Sequence, residues 1–335
     1  MKKYSKKVKS IYFYILILAL VLMFLLGLVC GSVHISFKDV IDVLLRQDTT
    51  SKNAIIIWNV RLPRVLAGIL AGAGLGTAGV ILQGVLNNSL ASPNIIGVNS
   101  GAGFMVMLSM VLLPQNLMLK SVMAFVGALL TALVIMFLAY TAEKSRITIV
   151  LAGITVSSFL SAGMNVLRII DNDISVNAMQ FLIGSLAGVT MKALRYPAVG
   201  IVVALLVAMS ISKALNILAL GDGVASSLGL RVNLFRMIFI IIASVLAGLV
   251  VSFSGLIGFV GLIIPHICRY FFGYDARVLI PASMLASAIF VLAADLVGRV
   301  VFAPYELPVG IILSLLGGPF FLYLLMRKGG RRVNA

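Results

Sequence analysis

The sequence predicts an all-α membrane protein of about ten transmembrane helices, and three observations predict it. Of its 335 residues, 61% are hydrophobic and only 11% charged, with a mean hydropathy of +1.17, which is too little polar material to coat a water-soluble globule. Apolar runs of about 20 residues, the length needed to cross about 30 Å of hydrocarbon, recur from end to end. Backbone groups in lipid must be paired within their own segment, so each run reads as a helix.

The expected spans are roughly 11 to 31, 64 to 85, 93 to 113, 120 to 141, 147 to 168, 196 to 216, 236 to 254, 256 to 272, 278 to 298 and 308 to 326. The first follows a Lys-rich start like that of a secretory signal. Its apolar stretch, Ile11 to Val29, is long for such a signal, and Gly27-Leu28-Val29-Cys30 is a poor lipoprotein cleavage site, so it is retained as a helix. The boundary between the seventh and eighth spans is the least marked, because Ser252 to Gly261 carries no charge. An even number of spans puts both termini on one side. If that side is the cytoplasm, the inner segments hold 16 of the 26 basic residues, among them Lys2, Lys9, Lys213, Arg236, Arg269, Arg277 and Arg327. The positive-inside rule therefore places both ends in the cytoplasm, and the net charge of +16 is a topology signal rather than a nucleic-acid footprint.

The segments outside the spans are short, the longest being 32–63, 169–195 and 213–236, and none is large enough for a catalytic domain. No Gly-Lys pair occurs anywhere, which excludes a phosphate-binding loop of the Gly-x-x-x-x-Gly-Lys type; transport driven by ATP would need another subunit to supply it. Cys30 and Cys268 are the only cysteines and suggest neither a disulfide framework nor a metal site.

Gly68, Gly72 and Gly76 share one face of the second span and predict close approach of another helix; Gly97 with Gly101 and Gly184 with Gly188 repeat the spacing. Two interruptions are more telling. Asn87 to Asn94 breaks an apolar region with turn-forming residues, and Ser254-Gly255-Leu256-Ile257-Gly258, followed by Pro265-His266, breaks another in the second half. Transporters place such breaks in corresponding positions of two inverted halves, where unwound backbone lines the path, and a weak inverted repeat is expected here.

These residues resemble a known family. Trp58 to Arg64 (WNVRLPR), Gly79 to Gly84 (GVILQG), Asn88 to Pro93 (NSLASP) and Gly97 to Gly103 (GVNSGAG) resemble the permeases for ferric siderophores, haem and vitamin B12. In the second half Leu218 to Gly221, Ser227 to Gly229, Gly258 to Arg269 (GFVGLIIPHICR), Glu306 to Gly310 (ELPVG) and Gly318 to Phe321 agree. The resemblance covers essentially the whole chain and implies one transmembrane permease domain over 1–335. First-half motifs would lie in 58–104, a cytoplasmic coupling loop in 217–236 and second-half motifs in 252–326. It implies the pore subunit of a type II ABC importer in a bacterial cytoplasmic membrane, with no cofactor. The implied partners are a second permease copy or a homologous permease, two ATPase subunits, an extracytoplasmic substrate-binding protein and membrane lipid. Iron-siderophore uptake is the expected cargo, as the family's commonest, with haem or vitamin B12 as alternatives.

The resemblance also implies sites. Arg61, Arg64 and Arg299 fall outside, where arginine is disfavoured; the family's arginines there receive acidic residues of the binding protein, against the simpler alternative of headgroup snorkelling. Asn88 and Leu90 would sit at the inner gate, with a second gate segment near Arg146 to Thr148, where the chain departs from the vitamin B12 permease. The loop from Gly221 to Arg231 is expected to couple to the ATPase through a short helix whose apolar face holds Val224, Ala225, Leu228 and Leu230, framed by Gly221, Asp222 and Gly229.

Two other classes are weighed. Tyr274-Asp275 and Ala219-Leu220-Gly221-Asp222 resemble the paired motifs of intramembrane aspartyl proteases. Their order is reversed, the first glycine is alanine, and both aspartates fall in loops rather than at mid-membrane, where a shared proton would need them. An ion-coupled carrier would need an ionisable group deep in a span, and Asp295 is the one candidate. Arg299, four residues on and on the same helix face, is expected to pair with it, while His266 is expected to pack or hydrogen-bond rather than bind metal.

Overall fold

The computed structural model describes residues 6–31, 33, 35–46, 51–94, 97–112, 117–141, 146–170, 172–301 and 305–329. Within them the chain is helical: α1 (Lys6–Val29), α2 (Phe37–Arg46), α3 (Lys52–Ile56), a π-helical turn (Ile57–Arg61), α4 (Leu62–Val85), α5 (Val98–Leu112), α6 (Leu117–Thr141), α7 (Arg146–Ile170), α8 (Asn172–Ile183), α9 (Met191–Ser210), α10 (Ser212–Ala219), α11 (Asp222–Ser227), α12 (Val232–Ser254), α13 (Val260–Phe272), α14 (Ala276–Val300) and α15 (Val309–Gly329). Seven helices are long and apolar enough to cross a membrane, and three apolar helices, Val98–Leu112, Val260–Phe272 and Val309–Leu324, are shorter. Each of the ten expected spans overlaps one of these.

The boundaries differ where the backbone breaks. The sixth span was expected over 196–216, but its helix starts at Met191, capped by the Thr190 side chain, and stops at Ser210. Ile211 then turns the chain into α10. The third span begins five residues late because Pro93 and Asn94 lie in a turn and Gly97 has φ +70°.

Helix α4 is the hub: 83% of its apolar window is buried, against 11% for α1 and α7, which present lipid-type surfaces such as Tyr14, Leu18 and Phe159. Its glycines explain how four helices reach it. A Cβ on Gly72 would meet Ser287 O at 2.4 Å, one on Gly76 would meet Ser287 Oγ at 2.2 Å, and Gly68 faces Leu292, so the predicted stripe is where α14 packs. Gly79 faces α13 instead, with Gly261 O only 1.9 Å from where its Cβ would be. Gly79→Ala is therefore expected to force α4 and α13 apart and destabilise by about 1–3 kcal/mol. Gly223→Ala on α11, where nothing lies within 4 Å, should be silent; melting of the purified protein in detergent compares the two. Gly101 likewise abuts Thr131 and Gly127 on α6. The Gly184/Gly188 pair is not a helical stripe, because both residues have positive φ in the turn after α8 and Gly188 faces open space.

The bundle has two distinct ends. At one, Lys9 donates to Phe272 O at 2.8 Å, Tyr12 stacks edge-on against Phe271 and Phe272, and Asn216 donates to Asp275 at 2.8 Å, which gathers the start of α1, α10 and the α13–α14 turn. Lys9, Arg269 and Arg277 lie at this basic end. At the opposite end the close of α1, the π-helical turn, the start of α4 and the close of α14 meet.

Candidate functional site

At that opposite end the three arginines expected on the outer surface are buried, Arg61, Arg64 and Arg299 being 4%, 6% and 3% exposed. Arg61 leaves the π-helical turn to donate to Leu28 O and Val29 O, both at 2.6 Å, and to Val33 O, so it caps carbonyls that the end of α1 leaves unpaired. Arg64, in the first turn of α4, grips Asp295 of α14 through Nε (3.0 and 3.1 Å) and Nη2 (2.9 Å) and Glu306 through Nη1 at 2.6 Å. Asp295, 1% exposed, also takes Arg299 at 3.1 Å, which is the intrahelical pair expected from the four-residue spacing. Arg299 Nη1 reaches back to Gly27 O and Cys30 O, both at 3.2 Å. Neither headgroup snorkelling nor an exposed docking surface describes these groups as placed. They are internal ties between α1, α4, α14 and the segment before α15, and the partly exposed member of the cluster is Glu306.

At the basic end, Asn87 takes a left-handed conformation (φ 47°) after α4, and the Asn88 side chain accepts the Leu90 N–H at 3.0 Å, so a short Asx turn shapes the expected inner-gate loop. Asn88 is exposed and Leu90 half-buried. Of the second gate segment, α7 begins at Arg146 and Thr148 is half-buried; the side chains of Arg146 and Ile147 lie outside the described residues.

The loop expected to couple holds a short helix, α11, entered through Gly221 at φ +108°; it stops at Ser227, so Leu228 and Leu230 of the expected helix fall after it, and Gly229 has φ +80°. Asp222 is tied to Arg236 of α12 at 2.6 Å. The face differs from expectation: Ala225 is fully buried, whereas Val224 and Leu228, one turn apart, are 50% and 60% exposed. Asp222 and Asp275 are each held by their own arginine, Arg236 and Arg277, an arrangement unlike a proton-sharing dyad.

The second predicted interruption is a non-helical stretch from Gly255 to Phe259 between α12 and α13, with φ +67° at Gly255 and +65° at Phe259. It is tied to the end of α8 and the turn after it: Leu256 N donates to Phe181 O at 2.9 Å, and Ser185 N to Ser254 O, the last residue of α12, at 2.8 Å. Gly310 N at the head of α15 donates to Gly184 O at 3.0 Å. The Phe259 ring lies against Gly317, where no side chain would fit. This stretch borders a cavity of about 550 Å³ whose other walls come from Asn94, Asn99, Leu182, Ile183, Ile311 and Ser314. Asn99 donates to Asn94 at its wall, and among the described residues no charged side chain lines it. Sequence reasoning found the interruption. Asn94 belongs to the first interruption, also expected from the sequence; α8 and Ser314 were missed, because their contributions depend on helix pairings distant in sequence.

Residues 18–327 match the FecCD transport family. The chain is 37% identical over 329 residues to the Fe(3+)-citrate import system permease protein YfmE of Bacillus subtilis (strain 168), spanning 97% of this chain and 98% of that protein. It is 35% identical over 324 residues to the hemin transport system permease protein HmuU of Yersinia pestis, spanning 95% and 97%. A solved inward-facing conformation of a metal-chelate type ABC transporter superposes with a TM-score of 0.83 at 29% identity, covering 95% of this chain and 99% of that one. A helical chain with a glycine-packed hub, a broken helix at an uncharged cavity and family similarity along most of its length belongs to the FecCD transport family, as a multi-pass ABC importer permease.

Proposed function

We propose that the chain forms the pore for uptake of iron(III)-siderophore complexes across a bacterial cytoplasmic membrane, with both termini in the cytoplasm. It works as a pair of permeases on two ATPase subunits, fed from outside by a substrate-binding protein. The observation that carries this reading is the uncharged cavity at the unwound Gly255–Phe259 stretch. Its volume, about 550 Å³, falls in the range that holds small-molecule ligands. Its apolar and amide walls can pass a bulky chelate without a charged group to trap it.

In this reading affinity belongs to the binding protein and the permease supplies only a path. Asn88 and Leu90 form the inner gate, and Val224 of α11 with Leu228 just after it seats in a groove of the ATPase, which transmits nucleotide-driven motion. The buried state of Arg61, Arg64 and Arg299 moves binding-protein docking to other groups of the outer end, with those arginines holding that end in shape.

Haem is the second reading, favoured by the similarity to a hemin permease. Mass spectrometry of the chelate that co-purifies with the assembled transporter, with competition among iron-loaded siderophores, haem and cobalamin, tests the cargo. A siderophore retained and displaced only by other siderophores is the expected outcome; haem or cobalamin in its place overturns it.

A further inference from the structure

A cavity of about 450 Å³ opens at the basic end among the close of α4, α10 and α13, apart from the unwound stretch. Its deepest polar group is Gln83, 3% exposed, whose Nε2 donates to Gly261 O at 3.0 Å. That bond fixes the amide so that Oε1 faces Arg269, and it accepts from Arg269 Nη1. The guanidinium also stands 5.9 Å from the Tyr274 ring. Among the described residues no carboxylate lies within ion-pair distance of Arg269, and Gln83 is the one hydrogen-bond acceptor on it.

The carboxylate of the adjoining turn is committed elsewhere. Asp275 accepts from Arg277 Nη2 at 2.7 Å, Arg277 Nε at 3.0 Å and Asn216 Nδ2 at 2.8 Å. Those hydrogen bonds, led by that from Arg277, draw its carboxyl down to about 2. Asp275 is therefore ionised at neutral pH but its charge is spent on Arg277. Arg269 is left as a partly buried cation facing a cavity whose walls also carry Asn87, Asn88, Asn216 and His266.

A guanidinium held only by a neutral amide and a ring keeps most of its five N–H donors for an acceptor, and oxyanions match that planar fork. A tetrahedral anion fits better than a planar carboxylate, because the donors here come from several walls rather than from one fork. We propose that this cavity binds a phosphate-class oxyanion, gripped by Arg269 and reached by the amides at its mouth. Free inorganic phosphate and the headgroup of an anionic lipid both offer this chemistry, and the site stands independently of which chelate the pore carries.

Equilibrium dialysis of radiolabelled orthophosphate against the purified full chain, in neutral detergent and at ionic strength held constant with chloride, tests it. One saturable site per chain is expected. Arg269→Gln should weaken binding at least about tenfold, while Lys213→Gln, which alters an exposed cation of the same end outside the cavity lining, should leave it in place. Ala219→Glu puts a carboxylate on an exposed wall without touching the Gln83–Arg269 contact. It should also weaken binding with unchanged melting, which keeps the test open if Arg269→Gln misfolds. In nanodiscs, loss of phosphate binding with phosphatidylglycerol but not phosphatidylcholine assigns the site to a headgroup, and equal binding in both assigns it to the free anion. Unsaturable binding, or binding unchanged in both Arg269→Gln and Ala219→Glu, overturns the proposal.

Discussion

Asp295→Ala is expected to destabilise the folded chain by about 3–5 kcal/mol, because it leaves two buried guanidiniums without their shared counter-charge. Arg64 would keep only Glu306, and Arg299 only the carbonyls of Gly27 and Cys30. Asp295→Asn should fall between, since the amide oxygen still accepts one hydrogen bond but carries no charge. The same logic changes what charge reversal at Arg61 and Arg64 would report. With both side chains buried, Arg61→Glu and Arg64→Glu put carboxylates against backbone carbonyls and against Asp295, so loss of fold should precede any effect on docking kinetics. Thermal melting monitored by size-exclusion chromatography in detergent checks this. A double variant that melts like the parent and still slows binding-protein association would return these arginines to the docking surface.

Leu228→Glu is expected to abolish substrate-stimulated ATP hydrolysis in the reconstituted complex while the permease itself stays folded. Leu228, just after α11, is 60% exposed and Val224 lies one turn before it, so the pair presents an apolar strip that a charge would spoil without entering the core. Ala225→Glu should behave differently, because Ala225 is fully buried and a carboxylate there lacks both space and a partner. Side-by-side measurement of ATP hydrolysis and of monodispersity separates the two effects. Normal coupling in Leu228→Glu would remove α11 as the contact that transmits nucleotide-driven motion.

The contrast between Ala225 and Leu228 shows what composition conceals: a short apolar stretch between two glycines was legible, but which side faces the bundle depends on how α11 leans on α12. The spans were legible because hydrocarbon imposes a length, and the glycine stripe of α4 because four-residue spacing defines a helix face regardless of partner. Short elements were not. α2, α3 and α8 mix polar and apolar residues within a few turns and lie outside the long apolar runs. Ile211, which separates α9 from α10, is itself apolar and gives no sign of a break. For Arg61, Arg64 and Arg299 the reason is distance in sequence. Arg299 and Asp295 are four residues apart and their pairing was readable, whereas Arg64 meets Asp295 and Glu306 across 231 and 242 residues. Without those carboxylates in view, an arginine outside the membrane reads as a surface group.

If this chain is a passage whose energy comes from another subunit, uptake of radiolabelled iron(III)-siderophore into proteoliposomes should depend on that subunit. The vesicles would hold the permease with or without its ATPase, ATP inside and loaded binding protein outside. Uptake is predicted only when ATPase, internal ATP and binding protein are all present, and it should persist when proton and sodium gradients are collapsed. Uptake by the permease alone, or uptake that follows an ion gradient without ATP, would make it a carrier that needs no ATPase.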